Sequence, residues 1–295
     1  MNERAAIYGL LLGLIWPASQ LTVHHDRPFA WTAPKSYYLG DAVLIPHLPS
    51  LQEVRLSGRR MSFLPKQQMW LGVAPQGQVA LTFFWQPDES WARGWLSPDK
   101  IEFSEKVIPT QSARLDTAGE LRLPASVWKK VNDLQNEQRA RDRQTLSQIM
   151  NDFSGELETS CWQTPLKSRI TSNFGSPRRL PNGHAYFHGG EDRRAAVGTP
   201  VMAAGAGQVA FAGEMVVPGV NVVIRHGGGW FTRYLHFSKT AIETGHEVKA
   251  GQKIGFSGAS GRVEAPHLHW EIVWQGIVAD PGRFLQAWAR LCDPT

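Results

Sequence analysis

The sequence predicts a mainly β protein with two domains, a small β-sandwich and a glycine-rich antiparallel β-sheet domain, joined by a helical linker. Three observations carry this. Residues 28–123 hold short apolar runs broken by turn residues, and residues 124–158 switch to an apolar period of three and four. Residues 160–295 return to short apolar runs, now punctuated by glycine. A chain of 295 residues is long enough for two ordinary domains, and 42% hydrophobic against 19% charged residues excludes wholesale disorder.

Residues 1–20 come first. Met1-Asn-Glu-Arg4 precedes an uncharged run from Ala5 to Trp16 and then Pro17-Ala18-Ser19-Gln20. This reads as a signal peptide or an N-terminal anchor, because the run is shorter than the roughly 20 residues a spanning helix needs. Trp16 stands where a small residue would suit cleavage after Ala18, so both outcomes stay open. Membrane contact is expected only through this segment, if it is uncleaved. Export follows either way, with the periplasm as the expected compartment and secretion outside the cell compatible.

In the β domain, candidate strands are Asp41 to Ile45, Val54 to Leu56, Met61 to Leu64, Met69 to Val73, Val79 to Trp85 and Ile101 to Phe103. Breaks fall at Pro49-Ser50, Ser57-Gly58, Pro75-Gln-Gly77 and Pro87-Asp88. That spacing suits a sandwich. Trp85, Trp91 and Trp95 could stack on sugars, but aromatics at this density usually pack a sheet, and core packing is the preferred reading.

In the linker, Val127, Val131 and Leu134, then Leu146, Ile149, Met150 and Phe153, recur at helical steps. Ser126 is the expected N-cap and Gly155 the stop. The charged run Arg139 to Arg143 reads as a solvated helix face.

The second domain offers strands at Val201 to Ala203, Gln208 to Ala212, Asn221 to Arg225, Trp230 to Leu235, Lys253 to Phe256 and Leu268 to Trp274. Gly227-Gly228-Gly229 marks a hairpin turn. Simple alternation along the strand after it puts Thr232, Tyr234 and His236 on one face. Cys161 and Cys292, the two cysteines, sit at the start and end of this domain and could pair as a disulfide in an oxidising compartment. A net charge of +5 and a pI near 9.3 would suit anionic partners. The basic residues are scattered, however, and no nucleic-acid signature is present, so nucleic acid is not an expected partner.

Chemistry concentrates in two segments. In Pro266-His267-Leu268-His269-Trp270-Glu271, strand alternation turns His267, His269 and Glu271 to one side. In His188-Gly-Gly-Glu-Asp192 a carboxylate follows a histidine by four residues, and the glycines argue against a helix. Two histidines and an aspartate would hold zinc with a fourth position for water. The plainer alternative is a loop hydrogen bond between His188 and Asp192 beside a strand-edge histidine pair.

The stretch from His188 to Pro281 resembles the lysostaphin/LytM-type zinc metalloendopeptidases, which cut peptide bonds of bacterial peptidoglycan. The resemblance rests on landmarks in order: His188-x-Gly190-x-Asp192, Gly198-Thr199-Pro200-Val201, Gly207-x-Val209, Gly219-x-Asn221, Tyr234-x-His236, Gly251-Gln252-x-Ile254-Gly255, His267-x-His269 and Asp280-Pro281. It implies one zinc ion held by His188, Asp192 and His269, with His236 and His267 as catalytic histidines and Asn221 and Tyr234 as substrate-binding residues. Glu271 would be either an orienting partner of an imidazole or a plain strand-face carboxylate. Glu191, Arg193 and Arg194 depart from the apolar or small residues usual there, either tuning the cleft or, as the preferred reading, lying on an exposed edge without a role, and Ala265 replaces a more usual glycine. His184, His226 and His246 read as loop or structural histidines, and His24, His25 and His47 show no ligand spacing.

The β domain weakly resembles the immunoglobulin-like domains that precede such peptidases, on Gly58-Arg59-Arg60 and domain order, with a wall-positioning role preferred over one covering the cleft. The implied function is an exported zinc endopeptidase with peptidoglycan peptides as substrate and other cell-wall enzymes as further partners. Its rival is a noncatalytic LytM-like regulator that activates other cell-wall hydrolases.

Overall fold

The computed structural model describes residues 21–23, 35–48, 51–85, 101–111, 118–132 and 137–292. The predicted signal or anchor segment, His24, His25, Trp91, Trp95 and Leu134 lie outside the described residues. Two compact units are present, one formed by the described residues up to 37, 44–72 and 77–109, the other by 38–43, 73–76 and those from 110 onward.

The described residues from 21 to 111, most of them in the first unit, form β1 (Leu21–Val23), β2 (Tyr37–Tyr38), β3 (Ala42–Pro46), β4 (Leu51–Leu56), β5 (Arg59–Arg60), β6 (Ser62–Leu64), β7 (Met69–Val73), β8 (Gln78–Trp85) and β9 (Ile101–Gln111). One sheet has the order β1-β9-β8-β4-β5 with β2 beside β9, and the other is β3-β7-β6. Alternation buries Val54 and Leu56 of β4, and Val79, Leu81 and Phe83 of β8. The β4–β5 hairpin turns at Ser57 and Gly58, whose φ values of 48° and 82° match the left-handed pair that a tight two-residue turn requires. All six predicted strands fall within or beside observed ones. β9 is much longer than its apolar start, Ile101 to Phe103, because pairing with β8 from Glu102 to Pro109 sustains it.

In the second unit the connecting segment carries β10 (Gly119–Glu120), α1 (Ala125–Asn132) and α2 (Glu137–Met150). Ser126 lies inside α1 rather than capping it, since the amide of Trp128 already donates to Pro124 O at 2.9 Å. Helix α2 packs Leu146, Ile149 and Met150 against Val223, Phe231 and Val273. Its charged middle is not wholly solvated. Asp142 is buried and accepts the Val216 amide at 2.6 Å and Gln138 Nε2 at 2.8 Å. The apolar period could not reveal that acceptor.

The remaining strands are β11 (Ile170–Ser172), β12 (Pro177–Arg179), β13 (Ala185–Phe187), β14 (Glu191–Arg194), β15 (Pro200–Met202), β16 (Gly207–Met215), β17 (Gly219–Gly227), β18 (Trp230–Thr240), β19 (Glu247–Val248), β20 (Lys253–Ser257), β21 (His267–Trp274) and β22 (Ile277–Ala279), followed by α3 (Pro281–Trp288). A ten-stranded sheet runs β11-β14-β21-β18-β17-β16-β19, with β20 joining β15 to β18 and β22 beside β21. Its pairings are antiparallel. The triglycine hairpin joins β17 to β18, with all three glycines at positive φ. A small sheet, β10-β12-β13, stands apart from it.

The two faces of β21 divide the labour. Leu268, Trp270, Ile272 and Trp274 are fully buried, and Trp230, paired across from Trp274, packs on Phe284 of α3. The other face runs His267, His269, Glu271 and Val273, so one strand face passes from polar residues to the apolar patch under α2. Helix α3 was not expected from sequence. Asp280 caps it by accepting the Arg283 amide, Pro281 opens it, and Phe284 and Trp288 bury one side. Cys161 and Cys292 are joined by a disulfide with a Cα separation of 4.9 Å. Among the described residues no helix is long and apolar enough to cross a membrane.

Candidate metal centre

Strand register assembles the centre. Asp192 on β14 lies opposite His269 on β21, and His188 approaches from the turn before β14. Gly190 makes the approach feasible, because a Cβ there would stand 2.4 Å from Trp270 O and 2.9 Å from His269 Nε2. His188 Nε2 lies 2.9 Å from His269 Nδ1 and 3.1 Å from Asp192 Oδ1, and His269 Nδ1 is 2.7 Å from the same oxygen. These ligand atoms lie within 4.8 Å of one another and are buried.

Each imidazole is oriented from behind. His188 Nδ1 donates to Asn173 O at 2.9 Å, and His269 Nε2 donates to Glu271 Oε1 at 2.9 Å. With those N–H groups committed, His188 Nε2, His269 Nδ1 and Asp192 Oδ1 turn three acceptor atoms toward one point, a donor set that fits a divalent metal. Support extends outward. Arg233 Nη1 donates to Glu271 Oε2 at 2.6 Å, while Arg178 Nη2 donates to Asp192 Oδ2 at 2.5 Å and to Ser172 Oγ at 2.7 Å.

Electrostatics follow from burial and these contacts. Burial lowers the pKa of His188, partly offset by Asp192. Burial works against ionisation of Asp192, but hydrogen bonds with His188 and His269 outweigh it and hold the carboxyl well below the usual carboxylate range. In His269 the effect of burial is likewise outweighed by Asp192 and Glu271, and its pKa is raised. Glu271 sits near 2, because Arg233 and His269 overcome its desolvation.

His236 reaches this centre by an irregularity. The shared face with Tyr234 expected from simple alternation would put it on the side away from His269, since Tyr234 pairs with Trp270. Instead two residues of β18 oppose Asn221 in a bulge, and His236 takes φ 66°. Its ring then lies 5.0 Å from that of His267 and 6.0 Å from that of His269. Its Nδ1 donates to Ser260 O at 2.8 Å, and His267 Nδ1 donates to Ala265 O at 2.7 Å, so Nε2 of each is the nitrogen not engaged by those carbonyls. Ala265 contributes through its backbone carbonyl, a group glycine would equally supply. Burial, reinforced by His269 and His267, holds the pKa of His236 well below its ordinary value.

Asn221 and Tyr234 do not belong with these residues. Both are fully buried. Tyr234 pairs with Trp270 on the opposite sheet face, accepts the Ala204 amide at 2.7 Å and is pushed up to about 12 by burial. Asn221 Nδ2 donates to Gly219 O at 2.9 Å and Gly213 O at 3.2 Å, beside the bulge that turns His236. Their expected role in binding substrate is replaced by one in shaping the sheet.

The histidines face a cleft of about 780 Å³, which Leu121 and Leu123 help to line. Arg178, Arg233 and these leucines went unnoticed in the sequence, since only register and the path of residues 119–123 bring them here. The other histidines stay out: His184 is exposed, His246 lies beside Glu243, His47 packs near Phe63, and His226 bonds Ala206 O and Thr232 Oγ1.

Residues 186–281 match the model of peptidase family M23. This chain carries a peptidase M23 domain. Over 148 residues it is 38% identical to the peptidoglycan DD-endopeptidase ShyC of Vibrio cholerae, covering 46% of this chain and 34% of that protein. Over 112 residues it is 45% identical to the peptidoglycan DD-endopeptidase ShyA of the same organism, covering 37% and 26%. The chain thus spans about a third or less of the length of these curated relatives. A solved Pseudomonas aeruginosa structure assigned to peptidase M23 shares the fold, with a TM-score of 0.57 at 20% identity over 84% of this chain and 94% of that one. The M23 match lies entirely within the second unit and takes in all five histidine and aspartate positions of the centre.

Proposed function

We propose that this chain is an exported zinc endopeptidase that hydrolyses peptide bonds of bacterial peptidoglycan, in stems or cross-links. The observation that carries the reading is the convergence of His188 Nε2, Asp192 Oδ1 and His269 Nδ1, with two further imidazoles alongside. The endopeptidase names of the relatives support the substrate class.

His188, Asp192 and His269 would hold one zinc ion. When bound, zinc supplies a Lewis acid that polarises the scissile carbonyl and brings the pKa of water toward neutrality. The protein's own part is proton handling. His236 is kept neutral by burial, so its Nε2 can accept a proton at pH 7. His267 Nε2, half-buried and on the same strand face as His269, is the second site for proton transfer or for a hydrogen bond to a developing oxyanion. Arg178 and Glu271 hold the ligands at fixed angles.

The first unit is assigned a positioning role on the wall, and the periplasm is the proposed compartment. The test is incubation of the purified chain with isolated cell walls. Soluble peptide fragments should appear with zinc, vanish with a chelator and return when zinc is restored. If no fragments appear with zinc bound while an added wall amidase is stimulated, the chain is a regulator and the reading fails.

A further inference from the structure

The cleft is lined by five arginines, Arg169, Arg178, Arg194, Arg233 and Arg262, against three carboxylates, Asp192, Glu264 and Glu271. Three of those arginines are spoken for. Arg178 is bonded to Asp192, Arg233 to Glu271, and Arg262 lies over the Tyr186 ring with an Nη on its hydroxyl at 3.2 Å. Arg193, beside the cleft, pairs with buried Glu191 at 2.6 Å. The side chains of Arg169 and Arg194 are exposed and have no acidic or hydrogen-bonding partner among the described residues.

These two are neighbours. The Arg194 amide donates to Arg169 O at 2.9 Å across β14 and the segment leading into β11. On its other side Arg194 is directly opposite His267, one step along from the Asp192 and His269 pair. Being two residues from Asp192 on a strand, Arg194 shares its face about 6–7 Å away. Two exposed arginines without an acidic partner thus line the cleft from adjoining backbone positions, with Arg194 opposite His267 on the row after the Asp192 and His269 pair. Two uncompensated cations lining one cleft give it a positive field that favours an anionic group of a bound ligand. The planar fork of arginine favours a carboxylate.

We propose that Arg169 and Arg194 form an anion subsite that holds a free carboxylate of the peptide substrate next to the bond being cut. It rests on the endopeptidase reading above and narrows it to carboxylate-bearing peptides. At about 3.3 Å per residue, an extended peptide spans the distance from the ligand row to this pair in one or two residues. The carboxylate therefore belongs to a residue adjoining the scissile bond or the next one.

The test uses the full zinc-loaded chain and a matched pair of cross-linked muropeptides, one with free carboxylates and one with the same groups converted to carboxamides. The native chain should favour the free form by about tenfold or more in kcat/KM, chiefly through KM, the scale of one charge-assisted hydrogen bond. Arg169→Gln with Arg194→Gln should bring the ratio near one by raising KM for the free form alone, and Arg194→Lys should keep part of the preference. An unchanged ratio in the double variant, or no preference in the native chain, overturns the subsite. So does an equal loss with both peptides, which would mark a merely structural role. Binding of the same peptides to the His236→Ala chain, followed by calorimetry, keeps the two ideas separate. Failure of the native chain to cut either peptide refutes the endopeptidase reading, while the calorimetric preference still decides the subsite.

Discussion

Replacing Glu271 by Gln tests how far the centre depends on residues that never touch the metal. Glu271 is 8% exposed, accepts His269 Nε2–H at 2.9 Å and binds Arg233 at 2.6 Å. Its pKa falls from 4.5 to about 2, which at about 1.4 kcal/mol per unit corresponds to about 3 kcal/mol favouring the charged form. That field raises the basicity of His269 as a ligand. Glutamine keeps the shape, and its Oε1 can still accept the His269 proton, so the imidazole stays oriented while the charge is lost. Zinc affinity should fall about 10- to 100-fold, equivalent to about 1.4–2.7 kcal/mol. The assay is competition with a chromophoric chelator at neutral pH, alongside urea melts of the metal-free chains to confirm folding. A folded Glu271→Gln chain within twofold of native affinity would refute the argument that Glu271 strengthens His269.

Other outcomes follow from the same geometry. Burial lowers the pKa of His226 to about 4, against its hydrogen bond to Ala206 O, so between pH 6.5 and 4 the unfolded chain binds more protons than the folded one. Its contribution is complete above pH 6.5 and should be lost by about 3 kcal/mol as pH falls to 4. Urea midpoints across that range should slope less in His226→Gln, and identical slopes would contradict this. Asp142→Ala removes the buried acceptor of the Val216 amide and should destabilise the chain by about 1–3 kcal/mol in urea melts without altering m; no loss would mean water replaces it. Gly190→Ala places a Cβ against Trp270 O and His269, so zinc retention by dialysis should drop even where the far-ultraviolet spectrum is unchanged. Native retention would show that the turn can shift freely.

Much of the fold could be read from sequence because period-2 apolar runs and glycine turns are local. The triglycine hairpin, the six strands read in each unit and the shared face of His267, His269 and Glu271 rest on such local signals, whereas the short strands β11, β12, β13, β14, β19 and β22 carry no apolar alternation and were not read. The same rule failed at His236, since a bulge opposite Asn221 and a left-handed φ re-aim the ring, and a sequence of apolar and polar residues does not encode a bulge. The family resemblance, not alternation, drew Tyr234 into the site, and its register sets it against Trp270. Arg178 and Arg233 were illegible because their partners lie 14 and 38 residues away. Asp142 was hidden in a run of charges whose other members suggested solvent. Helix α3 was missed because Asp280-Pro281 was read as a landmark rather than as a cap followed by Phe284 and Trp288.

The division between ligands and proton handlers is the central claim, and zinc content measured together with cleavage of a defined cross-linked muropeptide tests it most directly. His188→Ala should lose both the metal and the products, whereas His236→Ala should keep stoichiometric zinc and release no products by mass spectrometry. Equal zinc loss in both variants, or cleavage surviving in His236→Ala, would contradict it.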